Sequence, residues 1–266
     1  GGEQVSETVT LDRIDEHIAH VRLNRPDVMN VLNSQLIDDL YACFRECGGD
    51  EHLRVIVLSG AGKAFCAGGD VSFLNEISKM SADEVESFLN ELSFKLGQVG
   101  RVRKPVIGAL HGYVLGAGFA LSLLCDIRMA AEKTQFGAEF PKMGLVPELG
   151  ITYTLPALVG LAKALELSLT ARRFDASEAL SMGLVSRVVE ESELIEEATT
   201  MARYLAELPP LALGLTKHVV RKGAESSFEE SVRLETQFNR LCYTSQDHRE
   251  AASAFFEKRK PVFSGR

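Results

Sequence analysis

Lys104-Pro-Val-Ile-Gly-Ala-Leu-His-Gly-Tyr-Val-Leu-Gly-Ala-Gly-Phe-Ala-Leu-Ser-Leu-Leu-Cys-Asp126 is the stretch of sequence that decides the fold. The apolar run from Val106 to Leu110 predicts a buried strand, and helical periodicity begins at Phe119. Between the strand and the helix lie three glycines, Gly112, Gly116 and Gly118. Glycines at a helix start expose backbone N–H groups that have no intrahelical partner, an arrangement suited to an anion. Close packing of the helix on the strand would also require small residues, and this alternative stays open.

A second glycine-rich loop, residues 59–70, reads Ser-Gly-Ala-Gly-Lys-Ala-Phe-Cys-Ala-Gly-Gly-Asp. It follows a short buried strand, Val55 to Leu58, and precedes a helix that we expect to open near Asp70, which is more typical of a helix N-cap than of a catalytic acid. In open α/β sheets, ligands bind at the carboxyl ends of parallel strands. The two loops together therefore predict one ligand site.

Neither loop matches a common phosphate motif. A P-loop would require glycine at position 57 and serine or threonine at position 64, where the chain has Val57 and Ala64. The dinucleotide fingerprint would require a small residue in place of Leu121. What remains is two clusters of backbone N–H groups. Two such donors that converge on one oxygen form an oxyanion hole, which could stabilise a thioester enolate.

Composition sets the broad class. The chain has 266 residues, a formal charge of −8 and 45% hydrophobic residues, which fit a globular protein large enough for a sizeable core. The negative charge argues against a nucleic-acid or membrane partner. Five scattered cysteines favour a reducing compartment over a disulfide framework. Because no apolar run reaches about 18 residues, we expect a soluble, cytoplasmic protein.

The remaining patterns alternate strand and helix. Caps predict helices after Asn33 or Ser34 and after the capping box Ser81 to Glu84, while proline and glycine predict a loop from 141 to 147. Helices then dominate, at about 161–170, 175–182, 191–207, 211–222, 227–242 and 245–258. The first 190 residues thus predict a core rich in βαβ units, followed by a helical region.

Several segments resemble the crotonase, or enoyl-CoA hydratase/isomerase, superfamily. They are Phe65-Cys-Ala-Gly-Gly-Asp70, His111-Gly-Tyr-Val-Leu-Gly-Ala-Gly118, Cys125-Asp-Ile-Arg128, Phe136-Gly137, Leu23-Asn-Arg-Pro26, Ala179-Leu-Ser-Met-Gly-Leu-Val185 and Phe256-Glu-Lys-Arg-Lys-Pro261. The resemblance covers essentially the whole chain, and the two glycine loops in this order and separation are its most specific part.

The resemblance implies an α/β fold: a spiral of ββα units over residues 1–190 that carries an acyl-CoA site, and a helical C-terminal region over residues 191–266 for trimerisation. It also implies a homotrimer or a dimer of trimers. The implied substrate is an acyl-CoA thioester, with no metal and no cofactor other than the CoA of the substrate itself.

Residue by residue, the resemblance implies that the backbone N–H groups of Gly69 and Ala117 are the oxyanion donors. Ala117 stands where many family members have glycine, and it keeps the N–H if its φ is negative. Further substrate contacts implied by the resemblance are Arg25, Lys63, Ala64, Phe65, Ala67, Gly68, Leu115, Gly116, Glu139, Phe256 and Lys258, with Lys260 as an alternative to Lys258.

The acid–base residues decide which reaction a family member catalyses. Hydratases carry two glutamates, at positions that correspond here to Ala120 and Phe140, so both are missing. Glu139 is one place away, and a single gap could restore it to the hydratase position, but a slip of one residue on extended backbone reverses the direction of a side chain. The segment from Phe140 to Pro156 better resembles the peroxisomal type of Δ3-Δ2-enoyl-CoA isomerase, which has a lone acid at the position of Glu148.

A single acid–base residue is sufficient for an isomerase. Moving a double bond requires one base that transfers a proton between C2 and C4, whereas hydration benefits from two groups that hold and activate water. We therefore predict an enoyl-CoA isomerase with Glu148 as the base. The alternatives are an enoyl-CoA hydratase of fatty-acid oxidation and a catalytically inactive acyl-CoA-binding scaffold. Glu148 could also have a structural role in the first turn of a helix after Pro147.

Overall fold

The computed structural model describes residues 4–5 and 7–266. Its strands are β1 (Gln4–Val5), β2 (Val9–Asp15), β3 (Ile18–Leu23), β4 (Val55–Gly60), β5 (Val106–Leu110), β6 (Tyr113–Leu115), β7 (Ile127–Ala131), β8 (Gln135–Gly137), β9 (Phe174–Asp175) and β10 (Arg187–Val189). Its α-helices are α1 (Ser34–Gly49), α2 (Val71–Ile77), α3 (Ala82–Leu96), α4 (Gln98–Arg101), α5 (Ala117–Leu123), α6 (Ile151–Val159), α7 (Leu161–Thr170), α8 (Ala176–Ser181), α9 (Leu194–Ala206), α10 (Pro210–Gly223), α11 (Phe228–Tyr243) and α12 (Gln246–Glu257). Short 3₁₀ helices cover Pro26–Val28, Phe140–Met143 and Glu191–Glu193.

The strands form two sheets. Within the described residues, the central sheet has the order β1-β2-β3-β4-β5-β7-β10, and it is parallel from β3 onward. The smaller sheet has the order β6-β8-β9. Because the chain places β5 and then β7 in the central sheet, and β6 and then β8 in the smaller one, it winds as a spiral. This confirms the predicted spiral of ββα units.

Helices cover both faces of the central sheet. On one face, side chains of β3 and β4 such as Val21 and Leu58 pack in a core with α1. On the other face, Val57 and Ile107 pack against α9, whose small residues Ala198 and Ala202 are fully buried. Helix α9 begins after residue 190 and still covers the sheet. The predicted domain boundary at residue 190 stays a prediction.

Helix starts follow the capping signals in the sequence. Asn33 accepts a hydrogen bond from the Leu36 N–H at 3.0 Å, and Ser81 and Glu84 form the predicted capping box. Such caps stabilise a helix by about 1 kcal/mol each. Asp70 is the N-cap of α2, as predicted.

One helix start and one whole helix differ from the prediction. The helix expected from Phe119 begins two residues earlier, at Ala117, because Gly116 adopts a φ of 50° and serves as its N-cap. Helix α6 lies before the first of the helices predicted from about residue 161 onward, and it contains Pro156, which lacks an N–H to donate. Its Ile151 and Leu155 are buried in the core, and this burial compensates for the lost hydrogen bond.

Asp126 attaches helix α10 to the central sheet. Its carboxylate accepts hydrogen bonds from the Val106 N–H at 2.8 Å and from Arg221 of α10 at 2.7 Å, and it pairs with Lys217 of α10 at 2.7 Å. Burial lowers the pKa of Lys217. Across residues 4–5 and 7–266, none of the helices combines the length and apolarity needed to cross a membrane.

Candidate active site

The two glycine loops leave the central sheet side by side. The first follows β4 and the second follows β5, and these strands are parallel neighbours. The loops are then joined by backbone hydrogen bonds. Phe65 donates to the His111 carbonyl at 2.8 Å, Cys66 donates to the Tyr113 carbonyl at 3.1 Å, and Leu115 donates to the Cys66 carbonyl at 3.1 Å. The fold therefore brings together the two loops that the sequence singled out.

Glycine is required where the loops touch. A Cβ added to Gly112 would lie 1.9 Å from the Lys63 carbonyl oxygen, and one added to Gly118 would lie 2.2 Å from the Cys66 carbonyl oxygen. At Gly116 it would lie 3.8 Å from the Cα of Gly68. Close packing thus explains Gly112 and Gly118, whereas Gly116 supplies the backbone turn that begins α5.

The backbone around Gly69 leaves its N–H free. The Leu32 N–H donates to the Gly68 carbonyl at 2.8 Å, and the Leu32 carbonyl accepts from the Asp70 N–H at 2.9 Å. In a parallel bridge, the residue between the two bonded ones directs its N–H to the opposite side. Within the part of the chain that the structure describes, the Gly69 N–H has no hydrogen-bond acceptor.

Ala117 presents a second N–H of the same kind. As the first residue of α5, Ala117 has no intrahelical acceptor for its N–H. The preceding N–H, that of Gly116, donates to the Gly137 carbonyl at 2.8 Å and fixes the turn. Ala117 does not have a positive φ, so alanine is accommodated here as the sequence argument required.

Glu148 lies in the loop between the 3₁₀ helix Phe140–Met143 and α6. Its side chain is half-buried, and its carboxylate has no hydrogen bond or ion pair with the described residues. Burial raises the pKa of this carboxyl. Because α6 begins only at Ile151, Glu148 does not occupy the first turn of a helix, and the structural alternative was wrong in that respect.

The residue after Glu148 fixes the local backbone. Leu149 has a φ of 58°, in the left-handed region, and its side chain is buried in the core. A non-glycine residue in this conformation is strained by about 1–3 kcal/mol and persists only where packing holds it. The core therefore sets the direction in which the chain carries Glu148.

Glu139 is in a different electrostatic environment. Its carboxylate forms ion pairs with Arg173 at 3.0 Å and with Lys142 at 2.6 Å. Burial opposes its ionisation, but the hydrogen bonds from Arg173 and Lys142 outweigh burial and lower the pKa of Glu139. A carboxylate that is paired twice is a weaker base than a free one.

The other predicted substrate contacts fall into three groups. Ala64, Phe65, Gly68 and Leu115 are buried in the joined loops, together with the half-buried Ala67 and Gly116. Lys63 is exposed, and Arg25 is paired with Asp70 at 3.1 Å. Phe256 and Lys258 are exposed at the end of α12, and in the described residues no hydrogen bond, ion pair or ring contact joins them to either loop. All these substrate roles stay predictions.

Asn30 holds the first loop in place, and the sequence reasoning missed it. Its side chain is fully buried, and its amide donates to the carbonyls of Ala61 at 2.8 Å and Ala64 at 2.7 Å while its oxygen accepts from the Arg25 N–H at 2.7 Å. Its φ of 54° is one that asparagine tolerates better than most residues. The signal in the sequence that could have indicated this role is an asparagine four residues after Pro26.

The remaining candidates, a histidine and four cysteines, are buried in the fold. His111 is buried and its Nε2 lies 3.0 Å from the Gly62 carbonyl oxygen. Cys43, Cys47, Cys66 and Cys125 are buried. Residues 4–5 and 7–266 contain no group of three or more His, Cys, Asp or Glu side chains placed to hold a metal ion.

Residues 13–266 match the sequence profile described as enoyl-CoA hydratase/isomerase. The chain belongs to this family. It is 34% identical over 260 residues to a probable enoyl-CoA hydratase of Mycobacterium bovis, a match that covers 98% of this chain and 99% of that protein. It is 35% identical over 260 residues to the 1,2-epoxyphenylacetyl-CoA isomerase of Escherichia coli, with 96% and 98% covered.

A solved structure of a family member has the same fold. The crystal structure of an enoyl-CoA hydratase from Bacillus anthracis superposes with a TM-score of 0.92 at 32% identity, covering 97% of this chain and 100% of that one. The predicted crotonase fold is therefore confirmed, and so is the prediction that this protein is an enzyme of the enoyl-CoA hydratase/isomerase family.

Proposed function

We propose that this family member is an isomerase that moves the double bond of an enoyl-CoA from C3 to C2, with Glu148 as its base. One observation carries the proposal: Glu148 is a half-buried carboxylate without a partner, and burial raises its pKa. The two hydratase positions hold Ala120 and Phe140, which cannot transfer a proton. The experiment that tests the proposal compares isomerase turnover in the parent protein and in Glu148→Gln.

Moving the double bond requires a base that transfers a proton and hydrogen-bond donors that stabilise the thioester oxygen. The carboxylate of Glu148 removes a proton from C2 of a 3-enoyl-CoA, and the electrons of that C–H bond form a dienolate whose charge reaches the thioester oxygen. The N–H groups of Gly69 and Ala117 stabilise this oxygen. Glu148 then returns the proton to C4, the double bond settles between C2 and C3, and no net proton is consumed.

The hydratase remains the second candidate because two of the three named proteins, those of Mycobacterium bovis and Bacillus anthracis, are described as hydratases. Addition of water would need a second acid–base group, and Glu139 is the carboxylate nearest in sequence to a hydratase position. Its two ion pairs and lowered pKa argue against that role. The Escherichia coli relative is named an isomerase of a 1,2-epoxide, a different reaction on a CoA thioester. A catalytically inactive scaffold would bind acyl-CoA and turn over neither substrate.

The raised pKa of Glu148 predicts how activity depends on pH. A base must be ionised to accept a proton, so kcat/KM should fall as the pH drops through the pKa of Glu148. Because burial raises that pKa, we expect the fall at a higher pH than an exposed glutamate would give. A pH–rate profile for 3-enoyl-CoA measures this. A profile that stays flat down to the pKa of an exposed glutamate would argue against Glu148 as the base.

We also propose that the enzyme forms a homotrimer or a dimer of trimers through α10 to α12. Phe255 and Phe256 of α12 are 80% and 83% exposed, and Phe228 and Tyr243 of α11 are exposed as well. Phe255 and Phe256 contact each other, with ring centroids 5.9 Å apart, and exposed apolar side chains in contact are typical of interaction sites. Light scattering at micromolar concentration should give a mass that is a multiple of three chains, and a single-chain mass would contradict the proposal.

A further inference from the structure

The side chain of Arg25 lies between the two segments that hold Gly69. Its Nη1 donates to the Val31 carbonyl at 2.7 Å, and both Nη1 and Nη2 donate to Oδ2 of Asp70, at 3.2 and 3.1 Å. The residue after Val31 is Leu32, whose backbone bonds to Gly68 and Asp70. The guanidinium therefore joins the same two segments as the backbone hydrogen bonds of Leu32. Gly69 lies between Gly68 and Asp70, the two residues to which Leu32 bonds.

Further hydrogen bonds hold both Arg25 and Asp70 in place. The Arg25 N–H donates to the buried side chain of Asn30, and Pro26 restricts the chain that follows. On the other side, Oδ1 of Asp70 accepts from the N–H of Ser72 at 3.1 Å and from its hydroxyl at 2.6 Å, which fixes the start of α2. A shift of Asp70 would therefore move the peptide that carries the Gly69 N–H.

The pair is shielded from solvent more than an ordinary surface ion pair. The side chains of Arg25 and Asp70 are each 19% exposed. Charge-assisted hydrogen bonds are roughly twice as strong as neutral ones, and a partly buried pair is screened less by water and salt than an exposed one. The hydrogen bonds from Ser72 and Arg25 also lower the pKa of Asp70, so its carboxylate is charged at neutral pH.

We propose that Arg25 and Asp70 are positioning residues that hold the Gly69 N–H in the direction in which it donates to the thioester oxygen, an inference that rests on the proposed function of Gly69. Arg25 then acts on the reaction through Asp70 and the backbone. This differs from the contact with CoA that the family resemblance implies for Arg25, and the two roles predict different results.

The test is a double-mutant cycle with Arg25→Met, Asp70→Asn and the double variant. Each single variant should lower kcat by about 10- to 100-fold, because a misplaced group costs up to about 100-fold. The double variant should be no worse than the more affected single one, since partners in one interaction are not additive. Calorimetry should show that the Kd for CoA itself is unchanged. Asp70→Asn retains a side-chain oxygen for the N-cap of α2, so this variant is expected to fold.

A spectroscopic readout reports on the donor directly. Hydrogen bonds to a thioester carbonyl lower its infrared stretching frequency, and bound butyryl-CoA labelled with ¹³C at the carbonyl is a substrate analogue without a double bond to move. The parent protein should shift the band to lower frequency, and both single variants should reverse part of the shift. Asp38→Asn is the matched control, because it breaks the ion pair between Asp38 and Lys95 that involves neither loop.

The outcomes separate the possible explanations. If Arg25→Met weakens CoA binding while Asp70→Asn changes neither CoA binding nor turnover, Arg25 contacts the ligand and the positioning role is overturned. A shift of the carbonyl band that is equal in the parent and in all variants also overturns the positioning role, but it leaves the proposed function unaffected. If the parent protein binds butyryl-CoA with no shift, the oxyanion hole itself is wrong and the proposed function fails with this inference.

Discussion

Glu148→Gln is expected to lower isomerase turnover on 3-enoyl-CoA by about 10²- to 10⁴-fold, the usual effect of removing a positioned acid–base group. Glutamine has nearly the same shape but cannot accept the proton from C2. Affinity for CoA should be unchanged, because the carboxylate acts on the acyl group. The measurement is kcat for the isomerisation together with calorimetry for CoA, and hydration of 2-enoyl-CoA should be weak in the parent protein.

The fold of Glu148→Gln should be intact and its stability should not decrease at neutral pH. The pKa of Glu148 is raised in the folded state, so its ionisation disfavours folding, and stability is lost as the pH rises from the pKa of the unfolded chain through the raised pKa. Glutamine removes this charge, and any gain in Tm over the parent should disappear in acid, where the parent carboxyl is protonated. A loss of activity therefore cannot be attributed to unfolding if Tm is maintained.

Glu139→Gln is the matched control for the chemistry. It removes a carboxylate nine residues away that is already paired with Arg173 and Lys142. We expect turnover to stay within a few-fold of the parent value. If Glu139→Gln abolishes turnover and Glu148→Gln does not, the base has been misassigned and the hydratase becomes the better candidate. If neither substitution lowers turnover, the base is a residue other than these two glutamates.

Ala117→Pro is expected to lower kcat by about 10²- to 10³-fold, the effect of deleting one oxyanion donor. Proline has no N–H, so the thioester oxygen would lose one of its two proposed donors. The position suits the experiment because Ala117 is the first residue of α5, where proline is tolerated and no intrahelical hydrogen bond is lost. Steady-state kinetics on 3-enoyl-CoA measure the effect, with circular dichroism as the check on the fold.

Ala117→Gly is the control for this substitution, since it retains the N–H. It should retain kcat within a few-fold of the parent value, with a small loss of stability because glycine is a poor helix former. Equal losses in Ala117→Pro and Ala117→Gly would mean that the methyl group matters and the N–H does not. Unchanged turnover in Ala117→Pro would remove Ala117 from the proposed oxyanion hole.

Local signals predicted most of the secondary structure. The helix that begins after Asn33, the α2 cap at Asp70 and the capping box at Ser81 were all found as expected, because each depends on a side chain bonding to backbone within three residues. Helix α6 was not among the predicted helices; it contains Pro156, a local signal against a helix, and the burial of Ile151 and Leu155 in the core stabilises it nevertheless.

The sequence by itself indicated the family, the two glycine loops and the residues Ala120 and Phe140 at the positions where the resemblance places the hydratase glutamates, because these depend on residue types and their spacing. Only the tertiary structure decided what surrounds each charged group. Glu139 and Glu148 are both glutamates that follow β8, yet one is paired with two cations and the other has no partner in the described chain. Arg25 likewise bonds to Asp70, 45 residues away. The pKa of a carboxylate depends on burial and on neighbours that are distant in sequence, so the fold had to be known before the two acids could be told apart.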